Sequence, residues 1–252
     1  MNTPFILAHR GASAVAPENT IAAFRRAHEL GADGIELDVQ LTRDKIPVVI
    51  HDDTVERTTN GRGRVCDLTI GEIARLDAGA WKSAAFNGEP IPTLAQVFES
   101  LMDWLKPVGR ALPCLINVEL KTERFFTDGL EQQVLNVIAR YNLQDRILLS
   151  SFSPWALHRA RAINRDLPRG YLYDMTMPLV LRKAWLRFWA DPQAMHPEAS
   201  MLDAAYMNWA KRKNLQVNTW TVDDPAQAQR LAALGVHAII TNQPDVIRDA
   251  LK

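Results

Sequence analysis

The chain has 252 residues, 47% of them hydrophobic, with 29 lysines and arginines set against 29 aspartates and glutamates. That apolar fraction excludes a disordered composition, and the charge balance excludes bulk attraction to nucleic acid or to a lipid surface. A small anionic ligand needs only a local patch of positive charge and stays open.

In chain order, Phe5–His9 reads as a short apolar strand that ends on His9 and Arg10. Both are costly to bury unless something needs them there. Asn19 stands as the cap before a helical stretch, Thr20–Leu30, which Gly31 ends. Gly34–Leu41 is a second strand, and IPVVIHD follows it after only TRDK. A parallel neighbour needs a crossover of a dozen or more residues, so this segment is expected to fold back antiparallel as an arm. Residues 52–92 hold RTTNGRGRV, TIGEIARLDAGAW and GEPIPT, and read as a small insertion over one end of the molecule. From there strands and helices alternate. The strands are Leu115–Leu120, Ile147–Phe152, Gly170–Tyr173, Ala194–Pro197, Val217–Val222 and Ala238–Thr241. The helices include Leu94–Leu105, Leu130–Tyr141, Pro154–Ile163, Met201–Lys213 and Pro225–Leu234, the last opened by Asp224-Pro225 and closed by Gly235. With the arm set aside there are eight strands, which predicts an α/β fold, a (β/α)8 TIM barrel spanning 1–252 as one domain, with the insertion over its mouth.

Active sites of such barrels lie at the carboxyl ends of the strands. The first strand ends in His9 and Arg10, and the arm in His51 and Asp52. Residues i and i+2 of a strand share a face, so Glu36 points with Asp38, and Glu119 with Lys121, while Ile35, Leu37, Val39, Val118 and Leu120 turn to the helices. Three carboxylates at one mouth repel and raise each other's pKa values. A hard divalent cation removes that conflict, and all-oxygen ligation points to Mg²⁺, Ca²⁺ or Mn²⁺ rather than Zn²⁺. A metal-free arrangement, with Arg10 and Lys121 neutralising the acids, is the competing reading. His9 and His51 on separate strands suit paired general acid–base work near neutral pH, and Arg10 and Lys121 supply charge for an anion. Together these residues read as metal-assisted phosphoryl transfer.

Weaker signals are Glu18, beside the Asn19 cap; Trp220, on the inward face of the seventh strand; and His196, at the end of the sixth. Each could reach the substrate. Residues 177–192 mix Trp185, Phe188 and Trp189 with basic residues; such a stripe packs on the barrel more often than it lies on a membrane. Cys66 and Cys114 belong to no Cys-x-x-Cys motif and read as free thiols in a reducing compartment. MNTPFILAHR is no secretion signal, and no run approaches the roughly 18 apolar residues of a membrane span. The chain is therefore expected to be cytoplasmic, with no nucleic-acid partner and no stable membrane insertion; its oligomeric state leaves no trace in the sequence.

On these residues the sequence resembles the glycerophosphodiester phosphodiesterase family over nearly its whole length. The matching stretches are HRG at 9–11, PENT at 17–20, ELDV at 36–39, VVIHDD at 48–53, RTTNGRG at 57–63 and LDAGAW at 76–81, then NVELK at 117–121, SSF at 150–152, TWTV at 219–222 and AIITNQPD at 238–245. The resemblance implies one divalent cation, Mg²⁺ or Ca²⁺ with Mn²⁺ as the third candidate, held by Glu36, Asp38 and Glu119. It implies His9 and His51 as the acid–base pair, with Arg10 and Lys121 on the phosphate. It further implies hydrolysis of a small-molecule glycerophosphodiester, such as glycerophosphocholine or glycerophosphoethanolamine, to sn-glycerol 3-phosphate and an alcohol, through a cyclic phosphate. Two positions depart from the family's pattern: Lys45 stands where the arm usually turns on a glycine, and His237 where an aspartate is common. The alternatives are a lysophospholipase D-like or phospholipase C-like action on lipids, which needs an apolar groove at the mouth, and a barrel that binds phosphodiesters without cleaving them.

Overall fold

The computed structural model describes residues 3–105, 115–122, 127–182 and 184–252. Among these residues nine strands form: β1 (Phe5–His9), β2 (Gly34–Leu41), β3 (Pro47–Val49), β4 (Leu115–Leu120), β5 (Ile147–Ser151), β6 (Arg169–Tyr173), β7 (Ala194–Pro197), β8 (Gln216–Thr219) and β9 (Ala238–Thr241). Eight of them run parallel in the order β1-β9-β8-β7-β6-β5-β4-β2, and β1 pairs with β2 to close the barrel. The alternation read from the sequence is what closes it: Ile35, Leu37, Val39, Val118 and Leu120 are buried against Phe24, Ala27, Val97 and Phe98 of the surrounding helices.

β3 is the antiparallel arm that the four-residue spacing predicts. Its register shows why it fits. β1 leaves the edge of β2 after His9 pairs with Glu36, and β3 takes up that edge opposite Val39, Gln40 and Leu41. The far edge of β2 stays with β4 through Val39. The arm thus extends the lane of β1 and delivers His51 to the end of that strand. Residues 52–92 build a core of their own, in which Val55, Val65, Ile73, Ala78 and Ile91 pack on Val48 and Ile50. The excursion leaves the arm after His51 and comes back to β3: Val48 bridges Thr93, and Val49 N–H donates to Pro92 O at 2.8 Å.

Several boundaries differ from the sequence reading. The first helix is Ile21–Glu29, and its cap is Thr20, whose hydroxyl accepts from Ala23 N–H, rather than Asn19. β8 ends at Thr219, so Trp220 stands beyond the strand; β5 ends at Ser151, one residue before Phe152. The stretch expected as a helix over Met201–Lys213 is a turn of 3₁₀ helix, Ala199–Met201, and then Ala204–Arg212 capped by Asp203. A final helix, Pro244–Ala250, adds to those read from the sequence. Residues 177–192 form two single-turn helices, Leu179–Arg182 and Arg187–Ala190, with Trp185 and Phe188 exposed and Trp189 against Trp155. Cys66 is a free thiol; Cys114 lies outside the described residues. Among the described residues no helix is long and apolar enough to cross a membrane.

Candidate active site

The turn after β1 sets the first half of the site. Arg10 and Gly11 both take positive φ, 55° and 81°. Only glycine fits at 11, because a Cβ there would come within 2.6 Å of the Ala23 backbone. The turn points Arg10 back over the barrel mouth. Its backbone N–H donates to Glu36 at 3.1 Å and its guanidinium pairs with Asp38 at 3.2 Å and Glu18 at 2.9 Å. Asn19, freed from capping and held at φ 58°, donates its amide to Asp38 at 2.8 Å.

β2 and β4 bring the acids together, since Glu36 pairs in register with Asn117 and Asp38 with Glu119. One carboxylate oxygen from each of Glu36, Asp38 and Glu119 lies within 4.8 Å of the others, and all three residues are buried. Lys121 stands 3.2 Å from Glu119 and 4.0 Å from Asp38. The positive groups settle only part of this charge. Burial works to raise Asp38, but Arg10, Lys121 and the Asn19 amide outweigh it and hold the carboxyl below its usual range. Burial and the charge on Asp38 push Glu119 up to about 7 despite Lys121, and burial with the charges on Asp38 and Glu119 pushes Glu36 well up. Two acids left short of positive charge, in an all-oxygen cluster of this span, fit a hard divalent cation.

The histidines enter from β1 and from the arm. His9 Nδ1 lies 2.7 Å from Asn242 Oδ1, and the Asn242 amide donates to Asp223 at 2.6 Å, so that its oxygen is the atom turned to the ring. His9 Nδ1 is therefore the donor, and Nε2 presents a lone pair 3.9 Å from Glu36. Burial, aided by Arg10, lowers His9 to about 4. His51 Nδ1 lies 2.7 Å from the Asp52 carboxylate. Arg57 binds Asp52 and reaches both oxygens of Glu18 at 2.7 and 2.9 Å, so one hydrogen-bonded chain runs from His51 through Asp52, Arg57 and Glu18 to Arg10. The hydrogen bond from Arg57, with burial opposing, holds Asp52 down at about 2.

Two spaces meet here. A cavity of about 90 Å³ is lined by His9, Glu36, Asn117, Leu172, Trp220 and Ile240, and a wider cleft of about 580 Å³ by Gln40, Asp52, Asp53, Arg64, Lys121 and Asp128. His51, Glu119 and Phe152 line both. The structure thus brings together His9, His51, Arg10, Lys121, Glu18, Glu36, Asp38 and Glu119. Trp220 joins them as a wall: its ring meets Phe152 edge-on at 5.4 Å, and its indole N–H donates to His196 O. His196 itself is fully buried inside the barrel, with Nε2 on the Asn218 amide at 2.9 Å, and lines neither space. Sequence reasoning gave no role to Asn242, Asp52, Arg57, Asn117 or Phe152. Arg57 and Asn242 do fall inside the stretches RTTNGRG and AIITNQPD, and Phe152 inside SSF.

Residues 9–246 match the profile of the glycerophosphoryl diester phosphodiesterase family. The chain belongs to this family. A glycerophosphodiester phosphodiesterase of Caldanaerobacter subterraneus is 40% identical over 243 residues, 96% of this chain and 95% of its own length. Among solved structures, a phosphodiesterase of Oleispira antarctica, in complex with the product sn-glycerol-3-phosphate, superposes with a TM-score of 0.86 at 31% identity, covering 99% of this chain and 97% of that one. A glycerophosphodiester phosphodiesterase of Agrobacterium tumefaciens superposes with a TM-score of 0.81 at 27% identity, covering 98% and 99%. The protein is accordingly a phosphoric diester hydrolase, a glycerophosphodiester phosphodiesterase built on a TIM barrel.

Proposed function

We propose that the protein hydrolyses glycerophosphodiesters, such as glycerophosphocholine and glycerophosphoethanolamine, to sn-glycerol 3-phosphate and an alcohol. In this reading His9 and His51 are the acid–base pair, and Glu36, Asp38 and Glu119 hold one divalent cation, Mg²⁺, Ca²⁺ or Mn²⁺. The observation that carries it is the convergence of two histidines, on separate strands and with different partners, over one buried group of three carboxylates. The cation, when bound, supplies Lewis-acid polarisation of the phosphate and neutralises the acids.

The two spaces orient the substrate. The small cavity suits the glycerol end, and the wide cleft beyond His51 takes the variable alcohol. His9 Nε2 accepts the proton of the glycerol 2-hydroxyl, whose oxygen attacks phosphorus. The bond from phosphorus to the alcohol oxygen breaks, and His51 gives that oxygen its proton. The Asp52 carboxylate, 2.7 Å from His51 Nδ1, holds that ring in place. Water then opens the cyclic phosphate with the two roles exchanged. Arg10 and Lys121 bind the phosphate oxygens. Two cysteines outside any Cys-x-x-Cys motif support a cytoplasmic setting for the reaction.

The test is release of glycerol 3-phosphate from glycerophosphocholine by protein stripped with a chelator, then supplied with Mg²⁺, Ca²⁺ or Mn²⁺. Release only with an ion is expected; no release with any ion overturns the reading. A lipid substrate is the second reading, because Met175, Leu179, Val180, Trp185 and Phe188 lie exposed after β6. Turnover of lysophosphatidylcholine in preference to glycerophosphocholine would favour it.

A further inference from the structure

Asn117 is a buried polar residue that the catalytic scheme leaves idle. It lies on β4 opposite Glu36, two residues before Glu119 and on the same inward face, hence ~7 Å deeper in the barrel. It is 1% exposed, and its side-chain oxygen has no hydrogen-bond partner. Ser150, His196 and Asn218 also carry an inward orphan atom, but none of them lines the small cavity, whereas Asn117 does. Leu172 and Ile240, which line it too, can offer a ligand no hydrogen bond. An unsatisfied buried acceptor costs the desolvation of the group, and native structures keep one where something else completes it.

We infer that Asn117 is a specificity residue, whose side-chain oxygen accepts a hydrogen bond from the terminal hydroxyl of the glycerol moiety. The inference rests on the glycerophosphodiester reading. There the 2-hydroxyl donates to His9, which leaves the terminal hydroxyl as the donor for the deeper acceptor. Selection of a glycerol ester over an ester lacking that hydroxyl then follows from one neutral hydrogen bond.

The experiment is a cycle of two proteins and two ligands. Competitive inhibition by sn-glycerol 3-phosphate and by 2-hydroxypropyl phosphate, which lacks only the terminal hydroxyl, is measured for wild type and for Asn117→Leu. Inorganic phosphate serves as the control. Wild type should prefer glycerol 3-phosphate by roughly five- to tenfold, the worth of one such bond. The variant should bind the two esters within about twofold of each other, hold inorganic phosphate as before, and melt no lower than wild type, since it loses an unsatisfied acceptor. Discrimination that survives in Asn117→Leu overturns the inference. So does an equal loss of inorganic phosphate, or a changed affinity for Mg²⁺ or Ca²⁺, which would make Asn117 a metal donor. Should Asn117→Leu misfold, Asn117→Ala is put through the same cycle. If the wild type releases no glycerol 3-phosphate, the functional reading fails; if it does and still discriminates after substitution, only the role of Asn117 fails.

Discussion

The two halves of the barrel mouth are built from the same alternation and carry opposite contents. On β1, β2, the arm and β4 the inward positions toward the carboxyl ends include His9, Glu36, Asp38, Gln40, Asn117, Glu119 and Lys121, with His51 at the end of the arm. On β6, β7, β8 and β9 they include Gly170, Leu172, His196, Asn218, Ala238 and Ile240, all buried and none of them acidic or basic but His196. One half concentrates charge that folding alone would not choose; the other gives it a dry wall against which charge acts strongly. A polar residue at an inward position therefore carries different meaning in each half. Each ring spends one nitrogen, His9 on Asn242 and His196 on Asn218, but only His9 turns the other toward the acids and lines the small cavity.

Substitutions in each half should separate the two. The largest effect is expected for His9→Ala and His51→Ala, each lowering glycerol 3-phosphate release by about 10²–10⁴-fold while thermal melting moves little. A large drop in melting temperature with activity retained would break the contrast. In the other half, Gly170→Ala should do the reverse. Its new Cβ would sit 2.3 Å from His196 Nε2, so stability should fall by about 1–3 kcal/mol in denaturant titration, with turnover of the folded fraction kept.

Glu119→Gln sharpens the contrast through pH. In the ion-free protein Glu119 is raised to about 7, above the ordinary carboxyl value of an unfolded chain. Folding thus favours the protonated acid. That preference is fully present below pH ~4.5 and is lost as pH rises to about 7. Relative to wild type, ion-free Glu119→Gln should therefore gain stability across this interval, on the order of 2 kcal/mol by the neutral end, and should lack the melting shift expected of wild type on adding a divalent ion. An unchanged difference between pH 4.5 and 7 would show that the cations already balance the cluster. The smallest effect concerns the turn into the arm. Lys45 is held at φ 65°, so Lys45→Gly should stabilise by about 0.5 kcal/mol, the left-handed strain relieved less the entropy gained by the unfolded chain, with activity unaltered.

The barrel was legible because its strands carry period-two apolar patterns and its connections have lengths that only some pairings allow. The fold-back of β3 came from a count of four residues. The acids were legible for the same reason: Glu36, Asp38 and Glu119 interrupt apolar strands on one face. What escaped was pairing across distance. Asn242 meets His9 from 233 residues away and Arg57 meets Glu18 from 39, and no local period records either. Asn19 was misread because its residue type favours a helix cap. Thr20, one place on, takes the cap, and Asn19 turns to Asp38. Depth was hidden as well. Alternation put His196 on the inward face, but only the structure shows that it is buried against Asn218 and lines neither space.

The insertion leaves β3 after His51 and comes back to the same strand at Pro92 and Thr93. Its return end is thus hydrogen-bonded to the strand the segment leaves. Lengthening a loop whose ends are already joined costs little, because the closure entropy grows only as the logarithm of length. The segment is therefore an exchangeable cassette. New lengths and compositions can be tried beyond Arg57, reshaping the wide cleft, while Asp52 and Arg57 keep His51 tied to Glu18.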